Sequence, residues 1–237
     1  MLDSYIEGEN VDATMFKQFV GSLRYLCNTR SDICYSVVML IKFMNKPKWS
    51  HYQAIIKILI YIKGTLKYGL LFPSGVKSKS ELMCYLDSDW CGDRVDKRST
   101  YGYFFKYLRG LISWCSKKKQ MLALLTCEVE CIAGALSAYQ AIWLMNLLQD
   151  LKIKDNKHVK LMINNKSTIS LAKNPMLHGR SKHIDTKFHF LRNQVHNGVL
   201  EVVHCSTQKQ LADVLTKTIK TEHFVHLRDE IGVVDFN

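Results

Sequence analysis

"VKLMINNKSTISLA", residues 159–172, is the stretch on which the fold turns. Val159 to Ile163 read as a short buried strand, and the segment after them reads as a helix. In a sheet enzyme with this layout, ligands gather at the carboxyl end of such a strand, and a carboxylate is often presented there. Here Asn164 and Asn165 stand in that place. Either a site has lost a ligand or there was never a site, and the flanking sequence has to decide.

Upstream, "ELMCYLDSDW" (81–90) alternates and ends in acids. "YGYFFKYL" and "LISWC" are aromatic and β-branched, with "RG" between them as a turn, so the three segments predict an antiparallel meander. A long helix follows from about Thr126 to Leu148, with Ile132, Leu136, Tyr139, Trp143 and Leu147 expected on its inward face. Downstream of the opening stretch come a loop with Pro175, a helix around 184–196 and a strand in "VLEVVH". "QKQLADVLTK" is expected to open a closing helix, and 221–230 reads as a further one. The sum is an α/β fold: a mixed five-stranded sheet flanked by helices.

Residues 1–72 read as all-helical. Phe16, Phe19, Val20, Leu23, Leu26 and Cys27 make one stripe, and Ile33, Val37, Leu40, Ile41 and Met44 a second behind a helix start at Ser31–Asp32. A third helix, with Ser50 as its cap, carries Tyr52, Ile55, Ile56, Leu59 and Ile62, with Lys57 and Lys63 on its other side. The polar break "PSGVKSKSE" sets a linker at 73–80. The expected organisation is thus a helical unit (1–72), the linker, a sheet domain (81–220), and a C-terminal helix and tail (221–237).

Lys and Arg number 33 against 21 Asp and Glu, a formal charge of +12 that is the electrostatic footprint of a polyanion binder. No single amphipathic helix concentrates this charge, which argues against a membrane surface as partner. None of the eight cysteines forms a Cys-x-x-Cys pair, and Cys127 and Cys131 lack the further ligands of a zinc site, so reduced thiols are expected. There is no signal-peptide pattern, and no apolar run approaches the roughly 18 residues that span a bilayer. An intracellular protein, cytoplasmic or nuclear, is expected.

A two-metal nuclease needs carboxylates converging from the end of a first strand, the first long helix, a second strand end and a late helix. Asp87 ends the first strand, with Asp89 and Asp93 after it. Glu130 lies in the first turns of the long helix, two residues beyond Glu128, and Asp213 lies in the late segment. Each alone is a common turn former or helix N-terminal acid. Three in the correct topological places is stronger evidence. The fourth place holds Asn164.

"YLDSDWCGDRVDKRSTYGYFF", "LISWCSKKKQ", "TCEVECIAGALSAYQAIWLMNLL", "AKNPMLHGRSKHIDTKFHFLRNQV" and "TQKQLADVLTK" together resemble the ribonuclease H domain of copia-type LTR retrotransposon Pol polyproteins. "FKQFVGSLRYLCNTRSDICYSVVMLIKFMNKP" and "HYQAIIKILIYIKGTLKYGLLF" resemble the end of the reverse transcriptase that precedes it. The resemblance implies the ribonuclease H fold, and cleavage of the RNA strand of RNA–DNA hybrids with two Mg²⁺ (or Mn²⁺) ions. It assigns the metal-ligand and catalytic roles to Asp87, Glu130 and Asp213, choosing Glu130 over Glu128, and makes Asn164 a degenerate position where the family has Asp. Ser31 and Cys131 also depart from the family's residues. No Tyr-x-Asp-Asp motif occurs, so no polymerase activity is expected, and the chain reads as the C-terminal piece of a longer polyprotein.

An Asn side chain offers a neutral oxygen and a donor where Mg²⁺ needs a charged ligand. A weakened second metal is therefore expected, with Asp89 or Glu128 as the acids able to compensate. The readings are an impaired hybrid-specific nuclease, a nucleic-acid-binding module without turnover, and an inactive relic. Lys117, Lys118, Lys119, Arg180 and Lys182 are the phosphate-contacting candidates, with Lys57 and Lys63 behind them. His183, His189 and His204 are read as structural.

Overall fold

The computed structural model describes residues 10–74, 81–90, 98–118, 126–153, 158–173 and 182–236, the side chains of 182–185 apart. Helix α1 (Ala13–Leu26) starts where the Asp12 carboxylate accepts the Thr14 amide at 2.8 Å. A 3₁₀ turn (Ser31–Ile33) leads into α2 (Cys34–Ile41), and α3 (Trp49–Gly64) follows. Next come β1 (Tyr68–Leu70), β2 (Met83–Asp89), β3 (Thr100–Tyr107), β4 (Gly110–Lys118) and the long α4 (Thr126–Asp150). After them run β5 (Val159–Ile163), α5 (Lys166–Lys173), α6 (Lys182–His196) and β6 (Leu200–His204). The chain closes with 3₁₀ turns at Thr207–Lys209 and Leu211–Leu215, then α7 (Thr221–Ile231) and β7 (Val233–Asp235).

The predicted meander is present. β2 pairs antiparallel with β3, and β3 with β4. The hairpin between β3 and β4 turns on Leu108 and Arg109, both at positive φ (48° and 68°), the backbone hand that matches strand twist. β5 then lies parallel to β2, and β6 parallel to β5, so the sheet order is β4-β3-β2-β5-β6. Each parallel step is spanned by a helical crossover, as such steps require.

Alternation along β2 sends Leu82, Cys84 and Leu86 to one face, where they meet α4 and α6. The other face carries Tyr85, Phe104 and Trp114 against Leu211, Leu215, Leu227 and Ile231. The inward side of α4 is the expected one at Ile132, which is buried, and differs further along. Cys131, Ala135, Ala138, Ala141, Leu144 and Leu148 face the core, while Tyr139 and Trp143 are 52% and 57% exposed. Small residues let the helix axis approach the sheet, which bulky ones would prevent. Tyr139 instead stacks on Phe190 of α6, with centroids 4.1 Å apart. By length and composition α4 could cross a bilayer, contrary to the sequence estimate, but 56% of its apolar window is buried inside the fold.

The front unit is three helices around Phe16, Val20, Leu23, Ile33, Val37, Leu40 and Ile55. Ser50 does not cap α3. The helix begins at Trp49, and the His51 ring accepts the Lys48 amide at 3.0 Å. Ile58 rather than Ile56 or Leu59 completes its buried side.

The unit is also not purely helical, because β1 pairs antiparallel with the C-terminal β7. Arg228 of α7 lies over the Tyr68 ring at 4.5 Å. Trp114 of β4 donates its indole N–H to Cys27 O at 2.9 Å. A buried cluster holds the helices to one another: Arg30 pairs with Asp32 at 2.8 Å and reaches Thr65, and Tyr61 donates to Asp32 at 2.7 Å. The seven described cysteines are free.

The closing segment departs from expectation too. Leu211–Leu215 is a 3₁₀ turn rather than the start of an α-helix, and all five of its residues are buried. It presses on β3 at Gly102, where an added Cβ would stand 2.5 Å from Leu215 Cβ and 3.1 Å from Cys115 O. Gly102→Ala should therefore destabilise the fold by about 1–3 kcal/mol, the usual range for overpacking. The urea midpoint should fall while the slope of the transition stays constant.

Candidate active site

Parallel pairing of β2 with β5 stops at Tyr85 and Met162. Past that point the strands part, and Gln210, fully buried, bridges them. Its amide donates to Leu86 O at 3.0 Å and to Met162 O at 3.1 Å, and its oxygen accepts the Ala212 amide. This one side chain links both strands at the split and delivers the Leu211–Leu215 turn to the strand ends.

Into the split point the residues singled out from sequence. Asp87 and Asp213 are each 2% exposed and Glu130 is 7% exposed. Asn164 donates its side-chain N–H to Asp87 Oδ1 at 3.2 Å, and the Thr216 hydroxyl donates to Asp87 Oδ2. Lys217 Nζ lies 2.9 Å from Asp213 Oδ1 and 3.4 Å from Asp87 Oδ2. Positions 87, 130, 164 and 213 thus border one pocket, reached from β2, α4, the end of β5 and the last 3₁₀ turn. The two asparagines do different jobs: Asn165 Oδ1 caps α5 by accepting the Ser167 and Thr168 amides at 2.9 and 3.3 Å.

The electrostatics follow from crowding acids in a half-dry pocket. Burial, and then the Asp87 charge, push Glu130 up to about 7, against the pull of Thr168, Asn165 and Lys217. Burial and Asp87 likewise push Asp213 up to about 6, opposed by Lys217. Asp89 is raised by burial and by Asp87. Burial pulls Lys217 down, but Asp87 and Asp213 more than offset this and its pKa is raised, so it stays an ammonium at neutral pH.

Among the described residues, no three His, Cys, Asp or Glu side chains close on a single point as an ion's ligands. The donor chemistry nevertheless suits a hard divalent cation. Three carboxylates meet there, and Glu130 Oε2, Asn164 Oδ1 and Asp213 Oδ1 are buried oxygens that accept no hydrogen bond.

Of the acids named as compensators, Asp89 acts electrostatically on Asp213 and is the extra carboxylate at this pocket. Glu128, also buried, acts on Cys131. Asp89 belongs to β2 itself, not to a turn after it, and Asp93 lies outside the described residues.

Lys117 is exposed and Lys118 half-buried at the end of β4. Both line a groove of about 540 Å³ that also takes in Arg24 and Lys42 of the helical unit. Lys119 and Arg180 lie outside the described residues, and Lys182 opens α6. Lys57 and Lys63 sit on the exposed side of α3. His189 is exposed against Arg192, and His204 is exposed at the end of β6; the His183 side chain is outside the described set. Sequence reading missed Gln210, Thr216 and Lys217. Only Lys217 left a trace, its i+4 spacing from Asp213.

Strand order, helical crossovers and an acidic pocket at the split between the central parallel strands define a ribonuclease H-like domain. No family model matches the chain. It is 38% identical over 232 residues to the Retrovirus-related Pol polyprotein from transposon RE1 of Arabidopsis thaliana, covering 98% of this chain and 16% of that protein. Pol of transposon TNT 1-94 from Nicotiana tabacum is 35% identical over 228 residues, again 96% of this chain against 17% of the relative. Among solved structures, the foamy viral protease-reverse transcriptase in complex with dsDNA matches over 86% of this chain and 40% of that one, with TM-score 0.50 and 10% identity, a likeness of fold. Over nearly its whole length the chain is similar to one part of the Pol polyproteins of copia-type retrotransposons. It spans about a sixth of the length of the relatives it matches.

The raised Glu130 pKa has a stability consequence. A carboxyl that titrates near 4.5 when unfolded and at about 7 when folded binds more protons in the native state between those values. Its stabilising contribution is present below the unfolded value and is lost as pH rises through the folded one. In chelator, Glu130→Gln should therefore gain on wild type between about pH 5 and pH 8, by on the order of 2 kcal/mol. Denaturant melts across that range test it, and parallel pH profiles for the two proteins would refute it.

Proposed function

We propose that this domain hydrolyses the RNA strand of RNA–DNA hybrids at the Asp87–Glu130–Asp213 pocket, at a rate reduced by Asn164. The supporting observation is the convergence of four residues, remote in sequence, on the split between β2 and β5. Asp87, Glu130 and Asp213 are the residues that would hold divalent ions, Mg²⁺ or Mn²⁺. Such ions, when bound, supply an activated water and charge stabilisation at the phosphate.

Asn164 contributes a neutral oxygen and spends its N–H on Asp87, so the site has one negative charge fewer than a four-acid site. Losing about 3–4 kcal/mol of transition-state stabilisation corresponds to roughly a several-hundred-fold lower rate.

The substrate would approach over the strand ends. Asp89, Thr100 and Lys118 sit on one rung across β2, β3 and β4, which puts the Lys118 backbone about 10 Å, two strand spacings, from that of Asp89. Arg24, Lys42 and Lys117 extend that rung into the groove beside α1 and α2. A duplex held there is gripped through its phosphates, so affinity falls steeply with salt as counterions are released. Shape and 2′-hydroxyl contacts, rather than base sequence, would select the hybrid. Lys119, Arg180 and Lys182 complete the proposed phosphate contacts.

Asn164→Asp should raise Mg²⁺-dependent cleavage of a labelled hybrid by about two orders of magnitude or more. Asp87→Asn in that background should abolish it. Equal rates for wild type and Asn164→Asp would refute the impairment, and no cleavage by either would refute the nuclease reading.

A further inference from the structure

The gap between Asp87 and Asp213 is not open. Lys217 Nζ stands in it, 2.9 Å from one carboxylate and 3.4 Å from the other. Both aspartates are almost wholly buried, whereas the Lys217 side chain is 31% exposed. Asp87 is further saturated by Asn164 on Oδ1 and Thr216 on Oδ2. Glu130 Oε2, Asn164 Oδ1 and Asp213 Oδ1 accept no hydrogen bond. The chain's own ammonium thus pairs with the Asp87–Asp213 side of the pocket and acts on Glu130 through its charge.

An ammonium and a divalent ion make incompatible demands on that gap. Mg²⁺ takes carboxylate oxygens at about 2.0–2.1 Å in a near-octahedral shell. An ion bridging Asp87 and Asp213 would fall on the volume Lys217 Nζ now fills, and two cations side by side in a desolvated pocket repel strongly.

We infer that Lys217 is a tethered counter-cation, which holds the Asp87–Asp213 pair together in the metal-free protein and must swing out before a divalent ion can bridge them. The lysine has a route, because its partly exposed stem leads to solvent. Its attachment to the last 3₁₀ turn, four residues from Asp213, keeps it always at hand. Lys217 is thus a positioning residue: it sets how much metal the site requires. The inference rests on the divalent-ion reading of the pocket and adds an internal competitor to it.

The test is Mn²⁺ binding by calorimetry together with thermal melts in chelator, on the full chain as wild type, Lys217→Met and Lys217→Arg. Lys217→Met should melt lower than wild type in chelator, because two buried carboxylates lose their cation. It should bind Mn²⁺ more tightly, by roughly tenfold or more, a gain of about 1.4 kcal/mol. Its melting temperature should also rise more than wild type's on adding Mn²⁺.

Lys217→Arg, which keeps the charge, should melt near wild type and bind Mn²⁺ no more tightly. If Lys217→Met does not fold, a Lys217→Arg protein binding Mn²⁺ several-fold tighter than wild type would still overturn the inference. So would Mn²⁺ affinity unchanged or weaker in Lys217→Met, which would make the lysine a plain structural ion pair. Absence of Mn²⁺ binding in all three proteins would instead overturn the divalent-ion reading, and the competition with it. A lower melting point of Lys217→Met in chelator would then leave only a structural lysine.

Discussion

A carboxylate that is 2% exposed at the end of a central strand is costly unless every oxygen is answered, and Asp87 is answered from three directions. Asn164 comes from the neighbouring parallel strand, and Thr216 and Lys217 from the closing turn. Each partner depends on something further out. Asn164 is in reach because β5 lies beside β2. Thr216 and Lys217 are in reach because Gln210 pins their turn to a carbonyl of each strand where the two part. The turn can sit that low because residue 102 has no side chain. Removing any of these contacts weakens the compensation of the same buried charge, so the local architecture is organised around one aspartate.

Such an arrangement keeps the pocket assembled with no ion bound. Three acids in one pocket repel one another, and the raised pKa values of Glu130 and Asp213 are the signature of that repulsion after burial. One internal ammonium and two neutral donors on Asp87 relieve it in part. In this setting an asparagine at position 164 has a structural advantage over an aspartate: it donates to Asp87 where a fourth carboxylate would add to the repulsion. Assembly without ions and ion affinity are then opposed at the same residue.

The helical unit is tied to the sheet domain through contacts that cross the polar break. β1 pairs with β7, Trp114 bonds to Cys27 O, and Arg228 covers Tyr68. These set Arg24 and Lys42 beside Lys117 and Lys118 in one groove. A chain whose charge excess is spread along its length thereby presents a concentrated basic face next to its acidic pocket.

Much of this was legible in residue order. Period-two and period-3.6 patterns located every strand of the main sheet and all the long helices, because those patterns record burial on one side of a regular backbone. The carboxylates at 87, 130 and 213, and the asparagine at 164, could be named because they sit at element ends whose type was readable. Several things were not.

The inward face of α4 was misjudged, since hydrophobicity ranks Trp143 above Ala141 while the close approach to the sheet needs the smaller residue. The 3₁₀ form of Leu211–Leu215 and the role of Gln210 escaped because they answer carbonyls on strands about 50 and 125 residues away in sequence. Lys217 read as one of many surface lysines. Local sequence determines which elements form and which residues stand at their ends. What the ends touch is decided only when distant segments meet, because the energies that place a buried charge depend on its neighbours in space and not on its neighbours along the chain.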